Sequence, residues 1–488
     1  MTKLINIFIL YLFINLLNAT FCAHHTKEEW KSRSIYQLLT DRFAKTEEQS
    51  ILCPTFFNVS CGGSFKGIIE HLDYIKGMGF DAIWISPPLK NKEGSYHGYH
   101  NIDLYSINEH FGTSEELKDL INTCHEKDIW VILDAVPNHM AGDLDISTFI
   151  PFNSPDHYHS LTDADCNGHW DEQEYKEKCR IWGMPDLKQE NDYVNKTLIE
   201  WLQKMLNDYD FDGVRYADVP NIPTWFWKQF TMAAEGTYTF GIFDSNDVEY
   251  IASYQNYMDG VGNYPLFYQV RSSFCDGSMI DLNTYIQNSK DKFLDPKYNT
   301  IWFDNHDNER FLYQCKLGTR QKALRNIIIF TLFYEGVPIF YYGDEQYCDK
   351  GGEADARRQT LFGNYDEDSD IYIMLQKAHQ VRKKYETYDK NFMVKYVDEN
   401  NFVFSRGPDV IIAVCNGKYQ NIEIKNHGLS EDDKFCNKLD PLDCVSLKND
   451  VLMIRMSGEP KIYVKTSFGH MINISGLLFV FLFFLILF

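Results

Sequence analysis

Short β-rich runs alternate with stretches of helical periodicity over most of this 488-residue chain, and that alternation limits the fold more than any other feature. Residues 34–39, 82–86, 130–134, 213–216, 301–304 and 339–343 read as strands. Between them, stretches such as 68–78 and 114–126 space their apolar residues as one face of a helix does. Repeated strand–helix units build a parallel sheet, and this many favour a closed (β/α)8 barrel over residues 23–386. Polar and charged residues gather at the C-terminal ends of the strands, where such barrels place their sites. The rhythm breaks over 140–187, an insertion after the third strand. A structureless segment of that length is expected to be functional or a subdomain. Beyond it, residues 387–466 turn β-rich and read as a separate small β-domain.

The two ends and the charge narrow the setting. A net charge of -22 argues against a nucleic-acid partner, because phosphate recognition needs clustered Lys and Arg. Residues 1–22 carry Lys3, an apolar run from Leu4 to Leu17 and small residues near the end, the pattern of a signal peptide. Cleavage after Cys22 would leave eleven of the twelve cysteines, so at least one thiol is expected to be free in an oxidising compartment. Cys124 and Cys275, each in a helical stretch, are the candidates for buried free thiols. At the other end, residues 467–488 combine a short polar spacer with the apolar run Gly476 to Phe488, too short for a membrane span. That is the pattern of a glycosylphosphatidylinositol attachment signal, with Ser467 as the candidate site; a short tail anchor is the alternative. Asn58 and Asn195 head sequons that accord with passage through the secretory route. The chain is thus expected at the extracellular face of the plasma membrane, or free outside the cell.

Four short segments carry the chemistry: Asp134 to His139, Gly213 to Asp218, Tyr238 to Asp244, and Phe303 to Asp307. Their order and their placement at strand ends resemble the four signature segments of the α-amylase family, glycoside hydrolase family 13, and most closely the secreted fungal-type enzymes. The likeness runs from about Trp30 to Lys465. It implies a (β/α)8 barrel, a calcium-bearing insertion after the third strand and a C-terminal β-sandwich. It also implies three catalytic carboxylates: a nucleophile, an acid/base and a group that steadies the transition state. Here the nucleophile position is Ala217 and the acid/base position is Ile242; only Asp307, the transition-state group, is acidic. Retaining hydrolysis needs two carboxyl groups flanking the bond, and neither a methyl nor a sec-butyl group can serve.

The same resemblance assigns sugar contacts to His97, Tyr99, His139, Arg215, His306 and Arg358, with Tyr99 stacking on the sugar ring at the cleavage point. Against tight binding, Pro220 and Asn221 replace a Lys-His pair, Ala354 replaces an Asp, and His100 replaces a Trp. The implied calcium ligands are the side chains of Asn138 and Asp186 and the carbonyls of Glu177 and Asn221, a hard oxygen set suited to Ca²⁺. Implied disulfides join Cys53 to Cys61 and Cys166 to Cys179, and Cys436 and Cys444 lie close together in the β-domain. A further family bridge is missing, with Ala252 at one of its places.

Neighbouring carboxylates are candidates to substitute. Side chains alternate along a strand, so Asp218 is expected to point away from the face that carries Arg215 and Ala217, unless a bulge re-aims it. Asp244 shares the face of Ile242 but is expected about 6–7 Å further along. Three readings follow. The chain binds α-glucan (starch or glycogen) or another glycan with hydrolysis impaired; or it is an active calcium-dependent α-amylase using a displaced carboxylate; or its barrel serves as an extracellular interaction surface.

Overall fold

Eight short, fully buried strands form the barrel, and the helices between them cover its outside. The computed structural model describes residues 25–46, 53, 59–417, 419–425, 429 and 433–466. The strands are β1 (Ile35–Gln37), β2 (Ala82–Trp84), β3 (Trp130–Ala135), β4 (Gly213–Tyr216), β5 (Tyr238–Gly241), β6 (Gly260–Val261), β7 (Thr300–Ile301) and β8 (Val337–Tyr341). They pair in parallel in the order β6-β5-β4-β3-β2-β1-β8-β7. A single parallel bridge from Gly262 to Thr300 links the two ends. Strands buried on both faces suit residues such as Val131-Ile132-Leu133, because side chains fill the barrel inside and helices cover it outside. The six strands expected from sequence are present. β5 and β6 were missing from that expectation, and β6, at two residues, is too short for any periodicity to show.

The helices follow the same logic. Ser114–Glu126 opens with a reciprocal Thr113–Glu116 capping box and buries Leu117, Leu120, Ile121 and Cys124 at helical spacing. Asp192–Tyr209 starts on the Asn191 side chain, which accepts from the Tyr193 and Val194 N–H groups, and it ends at left-handed Asp210. The insertion between β3 and Asp192–Tyr209 holds only short turns, including Gln173–Lys176 and Ile181–Gly183. Its return to the barrel is fixed by an antiparallel bridge between His139 and Asp186.

Eight further strands, β9 (Phe392–Val397), β10 (Asn401–Arg406), β11 (Val410–Cys415), β12 (Tyr419–Ile424), β13 (Lys434–Asn437), β14 (Cys444–Lys448), β15 (Val451–Ser457) and β16 (Lys461–Lys465), form an antiparallel sheet. Its order is β9-β10-β11-β16-β13-β14-β15-β12. Alternation sorts its side chains into two faces. Phe402 and Phe404 pack on Phe330 of the barrel helix Arg320–Phe333. Val403, Ile411 and Ala413 face the other way and meet Ile422, Ile454 and Met456 from the far end of the sheet. The sheet therefore curls over its own core.

Disulfides join Cys53 to Cys61, Cys166 to Cys179 and Cys436 to Cys444, each in agreement with expectation. A fourth corrects the reading of Cys275 as a free thiol: it pairs with Cys315, Cα to Cα 5.5 Å. Cys275 ends the helix Tyr264–Cys275 and Cys315 follows the turn Phe311–Gln314, so tertiary packing brings together residues 40 apart in sequence. Cys124 is free and buried, as are Cys348 and Cys415. Among the described residues no helix is long and apolar enough to cross a membrane. The expected signal peptide, Asn58, Ser467 and the apolar tail lie outside the described residues.

Candidate functional site

Residues at and after the C-terminal ends of β4, β5 and β7 line one cleft. Asp134, at the end of β3, is buried and holds Arg215 of that lining from behind. Its Oδ1 accepts from Arg215 Nη1 at 2.9 Å, and its Oδ2 accepts from Tyr99 Oη at 2.6 Å and Trp84 Nε1 at 3.0 Å. Burial pushes the Asp134 carboxyl up, and Arg215, Tyr99 and Trp84 pull it back. The Tyr99 ring in turn stacks on His306, with centroids 5.5 Å apart and planes 12° apart. Arg215, Asp307 and Arg358, three of the residues expected at the site, line a cleft of about 1300 Å³.

His97, His139 and His306 lie buried around that lining and hold it in place. His97 Nδ1 accepts from the Tyr99 N–H at 3.1 Å. His306 contacts Gln37 Nε2 through its Nδ1 at 2.6 Å, and its carbonyl accepts from Arg358 Nε at 2.9 Å. Burial lowers the His306 pKa to about 4, so its ring is neutral near pH 7. Desolvation works to raise Asp307, but His306, Arg358, Arg215 and Arg357 together hold it below the usual carboxylate value. Asp307 is therefore a fixed negative charge suited to steadying a cation. A proton donor needs the opposite shift.

Ala217 and Ile242 stand at the ends of β4 and β5. The Ala217 N–H extends the ladder by one bond to Ala135 O (3.0 Å), and the Ile242 N–H does the same to Tyr216 O (3.3 Å). Ala217 is 2% exposed and Ile242 5% exposed. Ile242 lines the cleft, and a Cβ added at Gly262 would stand 3.0 Å from its Cγ1. Neither position brings an ionisable group to the cleft.

Asp218 corrects the expectation from strand alternation. The ladder has ended by this point, and Asp218 takes the left-handed conformation (φ 52°, ψ 37°), which Asp tolerates better than most residues. That turn brings it into the lining of the cleft that Arg215 also lines, with Oδ2 3.2 Å from His139 Nε2. Asp244 also lines the cleft, and both its oxygens accept from Tyr268 Oη at 2.7 and 2.8 Å. Five carboxylates thus line the cleft, at positions 171, 218, 244, 247 and 307.

The expected calcium residues fall into two pairs, Asn138 with Asp186 and Asn221 with Glu177. Asn138 O accepts from the Leu187 N–H at 2.8 Å, beside the His139–Asp186 bridge. Asn221 Nδ2 donates to Lys176 O at 3.0 Å, next to Glu177. The Asn221 N–H bonds Asp218 O at 2.9 Å, so the contact of Asp218 with His139 links the two pairs. Asn138 Oδ1 and Asp186 Oδ1 are buried with no hydrogen-bond partner. Orphaned buried acceptors of this kind fit a hard cation. Asp186 Oδ2 is bound to His159 Nδ1 at 2.7 Å, which leaves one oxygen for such an ion. Among the described residues, no group of three or more His, Cys, Asp or Glu is gathered for a metal, so the set would rest on one carboxylate, one side-chain amide and main-chain oxygens.

Sequence reasoning missed several of the cleft's residues. Trp170, Trp182 and Tyr250 line it, as does Arg357, whose buried Nε has no partner. Trp170 and Trp182 come from the insertion, where no periodicity or motif marks a functional side chain.

The eight parallel strands define a (β/α)8 barrel with an insertion after its third strand and a cleft at the strand ends. The α-amylase catalytic-domain family matches residues 37–361. An α-amylase of Saccharomycopsis fibuligera is 32% identical, over 91% of this chain and 93% of that protein. The solved α-amylase of Malbranchea cinnamomea superposes with a TM-score of 0.84 at 29% identity, covering 90% of this chain and 98% of that one. An α-amylase of Geobacillus thermoleovorans, solved in complex with acarbose, superposes at 0.81 with 28% identity over 90% and 99%. The chain belongs to the α-amylase family of glycoside hydrolases.

Proposed function

We propose that this chain binds α-1,4-glucan in its cleft and hydrolyses it weakly or not at all. The observation that carries the reading is the pair Ala217 and Ile242. Retaining chemistry needs two carboxyl groups about 5–5.5 Å apart across the anomeric carbon, and a methyl group and a branched alkyl group occupy those strand ends. The surroundings of the cleft are otherwise ordered: Asp307, Arg215 and Arg358 line it, and Tyr99 is held by Asp134, which also bonds Arg215, and stacks on His306. A calcium ion held by Asn138, Asp186 and the Glu177 and Asn221 carbonyls would supply a fixed positive charge that ties the insertion to β3 and β4. The setting is extracellular, with the C-terminal segment serving as a lipid-attachment signal. Retention of the purified protein on an immobilised-starch column without release of reducing sugar supports the reading; passage through the column unretarded refutes it.

A second reading has one observation in its favour. Asp218 turns into the cleft and lies against His139, so a carboxylate displaced by one residue is available. If Asp218 acts as the nucleophile, starch is cleaved and Asp218→Asn abolishes the activity. Unchanged cleavage by that variant removes the second reading.

A further inference from the structure

Two guanidiniums after β8 share one counter-charge. Arg357 and Arg358 are adjacent in sequence, and both line the cleft. Arg358 is tied down: its Nε donates to His306 O, and its Nη2 lies 3.8 Å from Asp307 Oδ1. Arg357 is partly buried, and among the described residues its guanidinium has no hydrogen bond or ion pair; its Nε is buried and orphaned. Burial and the Arg358 charge both act against its protonated form, and Asp307 is the carboxylate that bears most on it in the other direction. Arg215 also acts on Asp307 but is itself paired with Asp134 at 2.9 Å. Three of the other cleft carboxylates are engaged elsewhere: Asp218 with His139, Asp244 with Tyr268, and Asp247 as the cap of Val248–Ser253. At 354, where the resemblance implies an Asp, Ala354 lines the cleft without a charge. An unpaired, partly desolvated guanidinium beside a second one is destabilising until an anion joins it.

We propose that Arg357 and Arg358 receive an anionic substituent, a phosphate monoester or a carboxylate, on a sugar of a glucan seated beside the loop after β8. Arginine recognises both groups through paired N–H···O bonds that are stronger than neutral ones. The cleft carboxylates at 218, 244 and 247 remain acceptors for the hydroxyls of the same ligand. Ala217 and Ile242 favour the same outcome, because an anion entering the cleft meets no repulsion from those two strand ends. This inference rests on the glucan reading above and narrows it: the preferred ligand is an acidic glucan, and Arg357 sets the preference.

Calorimetric titration of the full-length protein with three forms of maltotetraose tests it: the neutral sugar, one with a phosphate monoester on the primary hydroxyl of its non-reducing glucose, and one ending there in glucuronate. At least one charged form should bind about tenfold tighter than the neutral sugar at about 0.05 M salt. That preference should shrink at about 0.5 M salt, where charges are screened. Arg357→Gln should bring the charged-to-neutral affinity ratio close to one, and Arg357→Lys should keep part of it. Ala354→Asp, a change at an exposed position, should also lower the ratio, through repulsion. A preference for the phosphate alone marks a monoester site, and one for glucuronate alone a carboxylate site. Equal affinity for all three sugars, or a preference that neither Arg357→Gln nor Ala354→Asp lowers, overturns the anion site and leaves the glucan reading intact. Inorganic phosphate that binds as tightly as the phosphorylated sugar overturns the assignment to a glycan. Wild-type protein that binds none of the sugars overturns the glucan reading and the anion site with it.

Discussion

Replacing Asp134 with Asn tests how the cleft lining is held from behind. The side chain is 2% exposed and accepts three hydrogen bonds, from the Arg215 guanidinium, the Tyr99 hydroxyl and the Trp84 indole. The amide keeps the size and one acceptor oxygen but loses the charge, and its NH2 group faces donors. Breaking a buried ion pair by removing one partner costs about 3–5 kcal/mol, because the remaining charge is uncompensated. The orphaned Tyr99 or Trp84 donor adds about 1–3 kcal/mol, less whatever the Asn oxygen recovers. A net loss of about 4 kcal/mol is expected in urea unfolding. Tyr99→Phe alone should cost about 1–3 kcal/mol, and much less in the Asp134→Asn background, a coupling of at least about 0.5 kcal/mol. Glucan affinity should fall with Asp134→Asn, since the Tyr99 ring loses the bond that aims it. A loss below about 1 kcal/mol, with Tyr99→Phe strictly additive, would refute the view that Asp134 organises the surroundings of the cleft.

Two further outcomes follow from named contacts. Chelation should lower the melting temperature and calcium should restore it, with the response lost in Asp186→Ala; a melting temperature indifferent to chelator sinks the proposed cation site. His125 Nε2 sits 2.9 Å from Asp212 Oδ2, with Asp210 at 3.8 Å from its other nitrogen and His25 also facing Asp212 at 3.4 Å. The Asp212 hydrogen bond raises the His125 pKa above its usual value near 6.5, with burial opposing. The stabilisation from protonated His125 is therefore complete below about pH 6.5 and is lost as pH rises through the raised folded value. His125→Gln should cost up to about 1 kcal/mol at pH 6 and clearly less at pH 9; an equal cost at both would show that the charge contributes nothing.

Much of the barrel could be read from sequence because buried parallel strands leave continuous apolar runs that polar strand ends interrupt. β6 escaped because Gly260–Val261 offers two residues, and its place is set by pairing with β5 alone. The site residues were legible where they sit at strand ends, as Arg215 and Asp307 do. Asp218 was misread for a definite reason: alternation governs a strand only while its ladder lasts, and a left-handed residue after Ala217 re-aims the carboxylate. Cys275–Cys315 was hidden because its closure depends on helix packing. Trp182 left no signal at all, since an exposed Trp in an irregular insertion looks like any other loop residue until its backbone and its surroundings are known.

The central claim, that hydrolytic power is missing for want of carboxyl groups at 217 and 242, is met most directly by measuring reducing-sugar release from soluble starch at high protein concentration. Wild type should stay near background, Ala217→Asp and Ile242→Glu singly should do little better because the two groups act as a unit, and the double variant should gain at least about a hundredfold. Wild-type turnover of about 1–10³ s⁻¹, abolished by Asp218→Asn, would contradict the claim and hand the nucleophile's role to the displaced carboxylate.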